Sequence, residues 1–138
     1  MKQPPRRRAR LLAFDVAYSR KEMGINQAGE LLLERQTKLK GEPQIFAKDL
    51  IRQTWENLDQ IDALISTALV NWKQDRISEA LNALFRISVG ELLFFPETDS
   101  KIIINEGIEI CKERVTPAAK KIYNGTMHQI SLKLRPQS

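Results

Sequence analysis

Residues 44–72 constrain the fold of this chain more than any other stretch. Large apolar residues recur there at steps of three and four positions, which places on one helix face Phe46, Leu50, Leu58, Ile61, Ile65, Leu69 and Trp72. Neither glycine nor proline interrupts the run. The pattern predicts one long amphipathic helix that serves as the spine of a helical fold.

Helical spacing also covers most of the remaining chain. Further helices are predicted over residues 6–23, 27–39, 79–95, 101–114 and 117–134. Residues that favour helix N-caps precede several of them, namely Ser78, Asp99 or Ser100, and Thr116. No segment alternates polar and apolar residues as a strand does. We therefore expect an all-α fold of six or seven helices in a single domain that spans residues 1–138.

Gly90 and Gly107 lie in the middle of predicted helices. Glycine inside a helix costs about 1 kcal/mol relative to alanine, so we expect two helices to approach closely at each position. The pair Asn124-Gly125 is a third candidate for close packing. Only residues 1–5 and 135–138 are expected to be loosely held.

The excess positive charge of the chain is concentrated at its N-terminus. Five of the 22 basic residues lie within the first ten positions, and the other 17 balance the 17 acidic residues. The five are Lys2, Arg6, Arg7, Arg8 and Arg10. Because arginine pairs bidentately with phosphate and stacks on flat rings, this basic arm favours a nucleic acid as partner.

Aromatic residues extend the basic arm along the first predicted helix. At 100° per residue, one stripe apart from the main apolar face holds Arg7, Arg10, Leu11, Phe14 and Tyr18. A surface that binds single-stranded nucleic acid typically combines positive charges, which bind the phosphate backbone, with aromatic rings, which stack on the bases. Spacing alone leaves a second interpretation equally open, in which the arginines are solvated and the two rings edge the core.

The residue types that enzymes and metal sites require are scarce. Cys111 and His128 are the only residues of their kinds, and neither has a companion at metal-ligand spacing. There is no glycine-rich phosphate loop and no pair of carboxylates at catalytic spacing. We therefore expect no enzymatic activity, no metal and no cofactor.

The same features bear on the location of the protein. A single cysteine excludes an intramolecular disulfide and favours a reduced, intracellular setting. The N-terminus lacks the apolar run of a signal peptide, and no apolar segment approaches the ~20 residues that span a membrane. The sequence predicts a cytoplasmic protein with no membrane partner.

A series of short segments carries a family resemblance. In the N-terminal half they are Arg6-Arg7-Arg8-Ala9-Arg10, the Ala13 to Tyr18 spacing, Phe46-Ala47-Lys48-Asp49-Leu50 and Leu58-Asp59-Gln60-Ile61-Asp62. In the C-terminal half they are Leu84-Phe85-Arg86-Ile87 with Glu91-Leu92, Ile104-Asn105-Glu106-Gly107-Ile108-Glu109-Ile110-Cys111-Lys112, and Lys121-Ile122-Tyr123-Asn124-Gly125. Their order, spacing and total length resemble those of the NusB family of bacterial transcription antitermination factors.

The chain departs from the NusB pattern at three places. Gly90 stands where tyrosine is usual, and Ile122-Tyr123 replaces Phe-Val. The loop at residues 116–120 lacks the acidic and serine residues common in the family, and Ala118 and Lys120 make it more positive. We expect RNA binding at this loop to be as strong as in the family or stronger, and less selective.

The resemblance implies two packed three-helix subdomains, about residues 6–72 and 75–135. It also implies binding of boxA-type single-stranded RNA jointly with ribosomal protein NusE, in the complex through which RNA polymerase reads through terminators in ribosomal RNA operons. The RNA-binding candidates are Lys2, Arg6, Arg7, Arg8, Arg10, Phe14, Tyr18, Arg86, Lys112, Lys120 and Lys121. The NusE surface would lie mainly on residues 79–95, with the candidates Leu81, Phe85 and Glu91.

Some roles stay open on the sequence alone. Arg86 either contacts RNA or forms an ion pair with Glu91 or Glu106, whereas Asn105 and Glu106 are assigned to bracing a helix junction. The apolar helix at 79–95 would pack against NusE or, in a homodimer, against a second copy.

The alternative function is a helical protein-interaction adaptor with a nonspecific basic arm. Alanine at Arg6, Arg7 and Arg10 separates the two functions, because RNA binding that survives unchanged would exclude a role for the arm. NusB-like domains also precede ribosomal RNA methyltransferases, but the 138 residues contain no cofactor-binding glycine motif. An enzyme that uses Cys111 or His128 is disfavoured.

Overall fold

The computed structural model describes residues 5–19, 39–69 and 73–136. They form six α-helices, which are α1 Pro5–Ser19, α2 Glu42–Glu56, α3 Leu58–Ala68, α4 Glu79–Phe94, α5 Ser100–Ile110 and α6 Lys120–Leu134. Short 3-10 turns at Gln74–Arg76 and Pro117–Ala119 and a π-helical turn at Cys111–Val115 join them. No strand occurs in these ranges, so the all-α prediction is confirmed. None of the helices described is long and apolar enough to cross a bilayer.

Several residues named in the sequence predictions lie outside the described ranges. The helix predicted over residues 27–39 lies outside the described residues except for Leu39, which is buried. Lys2, Met23 and Trp72 lie outside them as well.

Helix α4 is the spine of the fold. It contacts α1, α2, α3, α5 and α6. A helix with so little polar surface is stable only when neighbours cover it on most sides, which these five helices do. Its N-cap is Ser78 as predicted, since the Ser78 hydroxyl accepts a hydrogen bond from the Leu81 amide at 3.1 Å.

The single long helix predicted over residues 44–72 is wrong, because the chain leaves the helical conformation at Asn57. This residue adopts φ −124° and ψ 28°, and its side-chain amide donates to the Gln53 carbonyl at 2.8 Å. The Asn57 carbonyl accepts from the Ile61 amide at 3.0 Å, at the start of α3. Asparagine side chains compete in this way with the helical backbone. As a result, α2 and α3 pack against α4 as two separate helices.

The other predicted N-caps are confirmed. Asp99 accepts a hydrogen bond from the Lys101 amide at 2.9 Å, and Thr116 accepts one from the Ala119 amide at 3.1 Å. Pro117 follows Thr116 at the first position of its turn, where a backbone amide is not needed. These caps set the start of α5 and of the segment that leads into α6.

Both helix glycines lie at close helix contacts, as expected. A Cβ atom on Gly90 would lie 2.2 Å from Thr54 Oγ1, and one on Gly107 would lie 1.7 Å from the Tyr123 hydroxyl. A side chain at either position therefore requires its neighbour to shift. The expectation for Gly125 is wrong, because no atom lies within 4 Å of the corresponding position and the residue is exposed.

The end of α6 is held at Arg135, although the sequence predicted a loose end there. The Arg135 guanidinium donates to three backbone carbonyls at 2.8, 3.1 and 2.5 Å, those of Leu92, Phe95 and Thr98. Carbonyls at a helix C-terminus lack donors within the helix and attract a cation. Arg135 therefore ties α6 to the end of α4. The subdomain boundary near residues 72–75 stays a prediction, and one core cluster includes residues from both sides of it.

Candidate nucleic-acid interface

Arg6 fastens the start of α1 to α2. Its Nε donates to Glu42 Oε1 at 2.7 Å, and its guanidinium carbon lies 3.9 Å from the centre of the Phe46 ring. Aromatic faces attract cations placed over them. The Arg6 and Glu42 side chains both stay partly open to solvent, so Arg6 is held at the surface.

Arg10 is buried and belongs to the interior of the protein, which contradicts its prediction as an RNA contact. Its Nε and Nη2 donate to the two oxygens of Glu91 at 2.8 and 2.7 Å, and both side chains are almost fully covered. Burial lowers the pKa of Arg10, but the hydrogen bond and charge of Glu91 and the charge of Glu106 outweigh it and raise the pKa overall. This paired charge joins α1 to α4, because either partner alone would be a costly buried ion.

Glu106 on α5 lies between two arginines of α1. Arg7 Nη2 donates to Glu106 Oε2 at 2.6 Å, and Arg7 Nε lies 3.2 Å from both Glu106 oxygens. On the other side, Arg10 Nη1 lies 3.6 Å from Glu106 Oε1. The hydrogen bond and charge of Glu106 raise the pKa of Arg7. Glu106 braces α1 against α5, in line with the bracing role expected from the sequence.

The two aromatic candidates on α1 have opposite environments. The Phe14 and Tyr18 rings stack with their centres 5.9 Å apart, but Phe14 is 1% exposed and Tyr18 is 47% exposed. The prediction of Phe14 as a base-stacking residue is therefore wrong. Helix α1 is covered by both α2 and α4, so its buried face is wide enough to include the stripe of Leu11 and Phe14.

Glu109 is paired with one cation, and the charges of two others act on it. Lys112 Nζ lies 2.7 Å from Glu109 Oε2, and this hydrogen bond with the Lys112 charge lowers the pKa of Glu109. The charges of Arg7 and Lys120 lower the same pKa further. Arg7 is bound to Glu106, which precedes Glu109 by one turn on the same helix. We name Arg7, Lys112 and Lys120 the cationic surface. Helix α1, the π-helical turn and the start of α6 each supply one of its members.

Two more basic residues lie near this surface. Lys121 is exposed and follows Lys120 directly. Arg114, which the sequence reasoning did not select, reaches toward α1, where its Nη2 lies 3.8 Å from Asp15 Oδ2. Arg114 lies within the five-residue π-helical turn, and such turns change the direction of side chains relative to a regular helix. No periodic pattern in the sequence marks this contact. Arg8 is partly buried on α1.

Arg86 does not form either of the ion pairs considered from the sequence. Its Nε and Nη2 donate to Asp62 Oδ1 and Oδ2, both at 2.8 Å. Gln74 Nε2 also donates to Asp62, at 3.0 Å, and to Asn82 Oδ1, at 2.8 Å. Arg86 therefore joins α4 to α3 and to the turn between them, and it is separate from the cationic surface around Glu109.

The residues predicted to contact a partner protein are all buried. Leu81 is 4% exposed, Phe85 is fully buried and stacks on Tyr123 at 5.6 Å, and Glu91 is committed to Arg10. The apolar character of α4 is thus explained by packing within the chain, which contradicts its prediction as a surface for NusE or for a second copy.

An open groove lies between α3 and α6. It has a volume of about 360 Å³. The residues that line it are Leu64, Thr67, Ala68, Gln129, Ile130, Leu132 and Lys133. Leu132 is 59% exposed, which is unusual for a large apolar side chain.

The two residues considered for catalysis, Cys111 and His128, differ in their exposure to solvent. Cys111 is buried, its sulfur lies 3.5 Å from the Thr116 carbonyl oxygen, and burial raises the pKa of its thiol. His128 is exposed on α6. Over the described ranges, no three histidine, cysteine or acidic residues come together as a metal site would require.

Comparison with known proteins identifies relatives across most of the chain. The sequence model of the NusB family matches residues 7–131. The transcription antitermination protein NusB of Lysinibacillus sphaericus is 32% identical over 94 residues, which cover 67% of this chain and 74% of that protein. The solved structure of T. maritima NusB is 32% identical with a TM-score of 0.82, and the match covers 95% of this chain and 92% of that one. A NusB in complex with NusE and double-stranded RNA is 24% identical with a TM-score of 0.79, over 91% and 95% of the two chains.

Proposed function

The chain belongs to the NusB family, and on this premise we propose that it is a transcription antitermination factor that binds boxA-type single-stranded RNA together with ribosomal protein NusE. In this role it promotes read-through by RNA polymerase in ribosomal RNA operons. The observation that carries the proposal is the cationic surface, in which Lys112 pairs with Glu109, Arg7 pairs with Glu106 one helical turn earlier, and the charge of Lys120 acts on the same Glu109 carboxylate. A surface of this charge, on a protein whose first helix also exposes the Tyr18 ring, fits a single strand of RNA.

The residues divide into those that contact RNA and those that hold them in place. Arg7, Lys112 and Lys120 bind phosphates, with Lys121 and Arg8 beside them, and the exposed ring of Tyr18 stacks on a base. Arg6 lies at the surface of α1, where it contacts α2, and Lys2 is a further basic residue of the arm in the sequence. Arg10, Phe14 and Arg86 act within the protein, where they hold α1 and α3 against α4.

We propose that NusE binds at the groove between α3 and α6. Both helices are neighbours of α4, and the groove exposes Leu132 together with the apolar parts of Leu64 and Ala68. An apolar cleft open to solvent is a common anchoring point for a partner protein. A partner seated there adds its own contacts to the same RNA and raises the affinity of the complex by joint binding.

We propose a binding protein that acts in the cytoplasm and does not catalyse a reaction. Its only cysteine is a poor nucleophile, since burial raises the pKa of the Cys111 thiol and so disfavours the reactive thiolate.

The proposed function is tested by titrating fluorescent RNA with the protein. A boxA-type single-stranded RNA and a scrambled RNA of the same composition are compared at several salt concentrations, with and without NusE. We expect tighter binding to boxA RNA and a further gain in affinity with NusE. The adaptor with a nonspecific arm would be supported by a different result. In that case the two RNAs bind equally, binding depends steeply on salt, and NusE does not change the affinity.

A further inference from the structure

We infer that Glu106 is an intramolecular competitor of RNA, which occupies Arg7 in the free protein and is exchanged for an RNA phosphate on binding. This inference rests on the proposed RNA-binding function and adds a mechanism by which the protein limits its own affinity.

The two arginines that contact Glu106 are held in very different ways. Arg10 makes two short hydrogen bonds to Glu91, and both of these side chains are at most 7% exposed. The hydrogen bonds of the Arg7 guanidinium described above all go to Glu106, and the Arg7 side chain is 34% exposed. Arg7 can therefore turn toward a ligand in solvent, whereas Arg10 cannot leave its partner without exposing a buried charge.

Glu106 does not lose every partner when Arg7 leaves. Arg10 Nη1 lies 3.6 Å from Glu106 Oε1, so a positive charge stays beside the carboxylate after the exchange. The side chain of Glu106 is also 15% exposed, and water has some access to it. The usual cost of an unpaired, partly buried carboxylate is thereby reduced.

A phosphate is a suitable replacement for the carboxylate. The guanidinium group donates two parallel hydrogen bonds to either anion with similar geometry. Because Arg7 gives up one anion to gain another, its net contribution to RNA affinity is smaller than that of an unpaired arginine. Salt weakens both the internal ion pair and the RNA contact, so the competition matters most at low ionic strength.

The test is a double-mutant cycle on RNA binding with Glu106→Gln and Arg7→Ala. Glutamine keeps the size of the side chain and removes its charge. Glu106→Gln alone is expected to tighten binding of boxA-type single-stranded RNA about fivefold at low salt, the effect of removing one partly exposed ion pair, and this gain should shrink as salt is raised. In the Arg7→Ala background the same substitution should change affinity by less than about twofold.

Glu113→Gln is the matched control for loss of negative charge. Glu113 is exposed, and its charge raises the pKa of Arg7 without a hydrogen bond to it. It should therefore tighten RNA binding clearly less than Glu106→Gln. An equal gain from both substitutions, or a gain from Glu106→Gln that persists without Arg7, would overturn the inference.

A second measurement on the unmodified protein covers the case in which Glu106→Gln perturbs folding. The Nε–H signals of Arg7 and Arg10 are followed by NMR while the RNA is added. The Arg7 signal is expected to shift on saturation, and the Arg10 signal is expected to stay in place. An Arg7 signal that does not move while RNA binds contradicts the inference but leaves the proposed function intact, whereas absence of RNA binding contradicts both.

Discussion

The hydroxyl group of Tyr123 occupies the space that a side chain on residue 107 would need. A Cβ on Gly107 would lie 1.7 Å from that hydroxyl oxygen, which also shares a 2.7 Å hydrogen bond with the Ser88 hydroxyl. Tyr123 is one of the departures from the NusB pattern, which has Phe-Val in place of Ile122-Tyr123. The large residue on α6 fills the volume left by the small one on α5.

Gly107→Ala should therefore destabilise the protein, by about 2 kcal/mol, because it overpacks a closed contact. Tyr123→Val alone should also destabilise it by leaving a cavity. The double substitution should cost less than the sum of the two, with a coupling energy of at least about 1 kcal/mol. Chemical denaturation of the four proteins measures this, and additive effects would show that the two positions are independent.

Tyr123 should make the protein sensitive to alkaline pH. Its side chain is fully buried, and burial raises the pKa of its hydroxyl well above the ordinary value of 10.0. The folded state thus keeps a proton that the unfolded chain loses, so stability is intact below about pH 10 and declines as pH rises beyond it.

Tyr123→Phe serves as the comparison in this measurement. It should lower stability at neutral pH by about 1 kcal/mol through loss of the bond to Ser88, and it should flatten the alkaline decline. The stability of the unmodified protein and of Tyr123→Phe is measured by thermal unfolding between pH 8 and pH 11. Parallel curves over the alkaline range would mean that Tyr123 does not contribute to the decline.

Two of the ion pairs that fix α1, Arg10–Glu91 and Arg6–Glu42, should differ greatly in their effect on stability. Glu91→Gln leaves the charge of Arg10 buried without its partner and should lower the free energy of unfolding by about 3–5 kcal/mol. Glu42→Gln removes the exposed partner of Arg6 and should cost less than about 1 kcal/mol. Urea unfolding of both variants makes the comparison, and similar losses would contradict the assignment of Arg10 to the interior.

Leu132→Asp should weaken the joint binding of RNA and NusE. A carboxylate in the groove between α3 and α6 would be desolvated by NusE, so the affinity gained on adding NusE should fall at least about tenfold. Binding of RNA in the absence of NusE should not change. Ile102→Asp, at a similarly exposed apolar residue on α5, is the control. If both variants respond to NusE as the unmodified protein does, the groove is not its binding site.

Local signals in the sequence predicted most of the helices. Ser78, Asp99 and Thr116 cap helices where the residue types indicated, and the glycines at 90 and 107 mark close contacts. The caps depend on residues within a few positions of one another, and the cost of a glycine inside a helix is local too, so a single sequence contains that information. The break at Asn57 is not evident from the sequence, because asparagine is tolerated within many helices. Its backbone angles and its bond to Gln53 show in the structure that the helix ends there.

The burial of the candidate site residues could not be predicted, because it depends on distant parts of the chain. Whether Arg10 and Phe14 are exposed or buried depends on which helices cover α1. Glu91, which binds Arg10, lies 81 positions from it in the sequence. Similarly, the partner of Arg7 lies 99 positions away on α5. Composition identified the basic arm correctly, but the acidic residues that bind it follow from the packing of α1 against α2, α4 and α5.

The central claim, that the cationic surface binds RNA, is tested most directly by the salt dependence of binding. The variant with alanine at Arg7, Lys112 and Lys120 is compared with one that has alanine at three exposed lysines elsewhere, Lys48, Lys73 and Lys101. Each phosphate contact with a single strand contributes about 0.7 to the slope of log affinity against log salt, so the first variant should lose about 2 from its slope. The second should keep nearly all of it. Equal losses in the two variants would show that RNA responds only to net charge, and would contradict the claim.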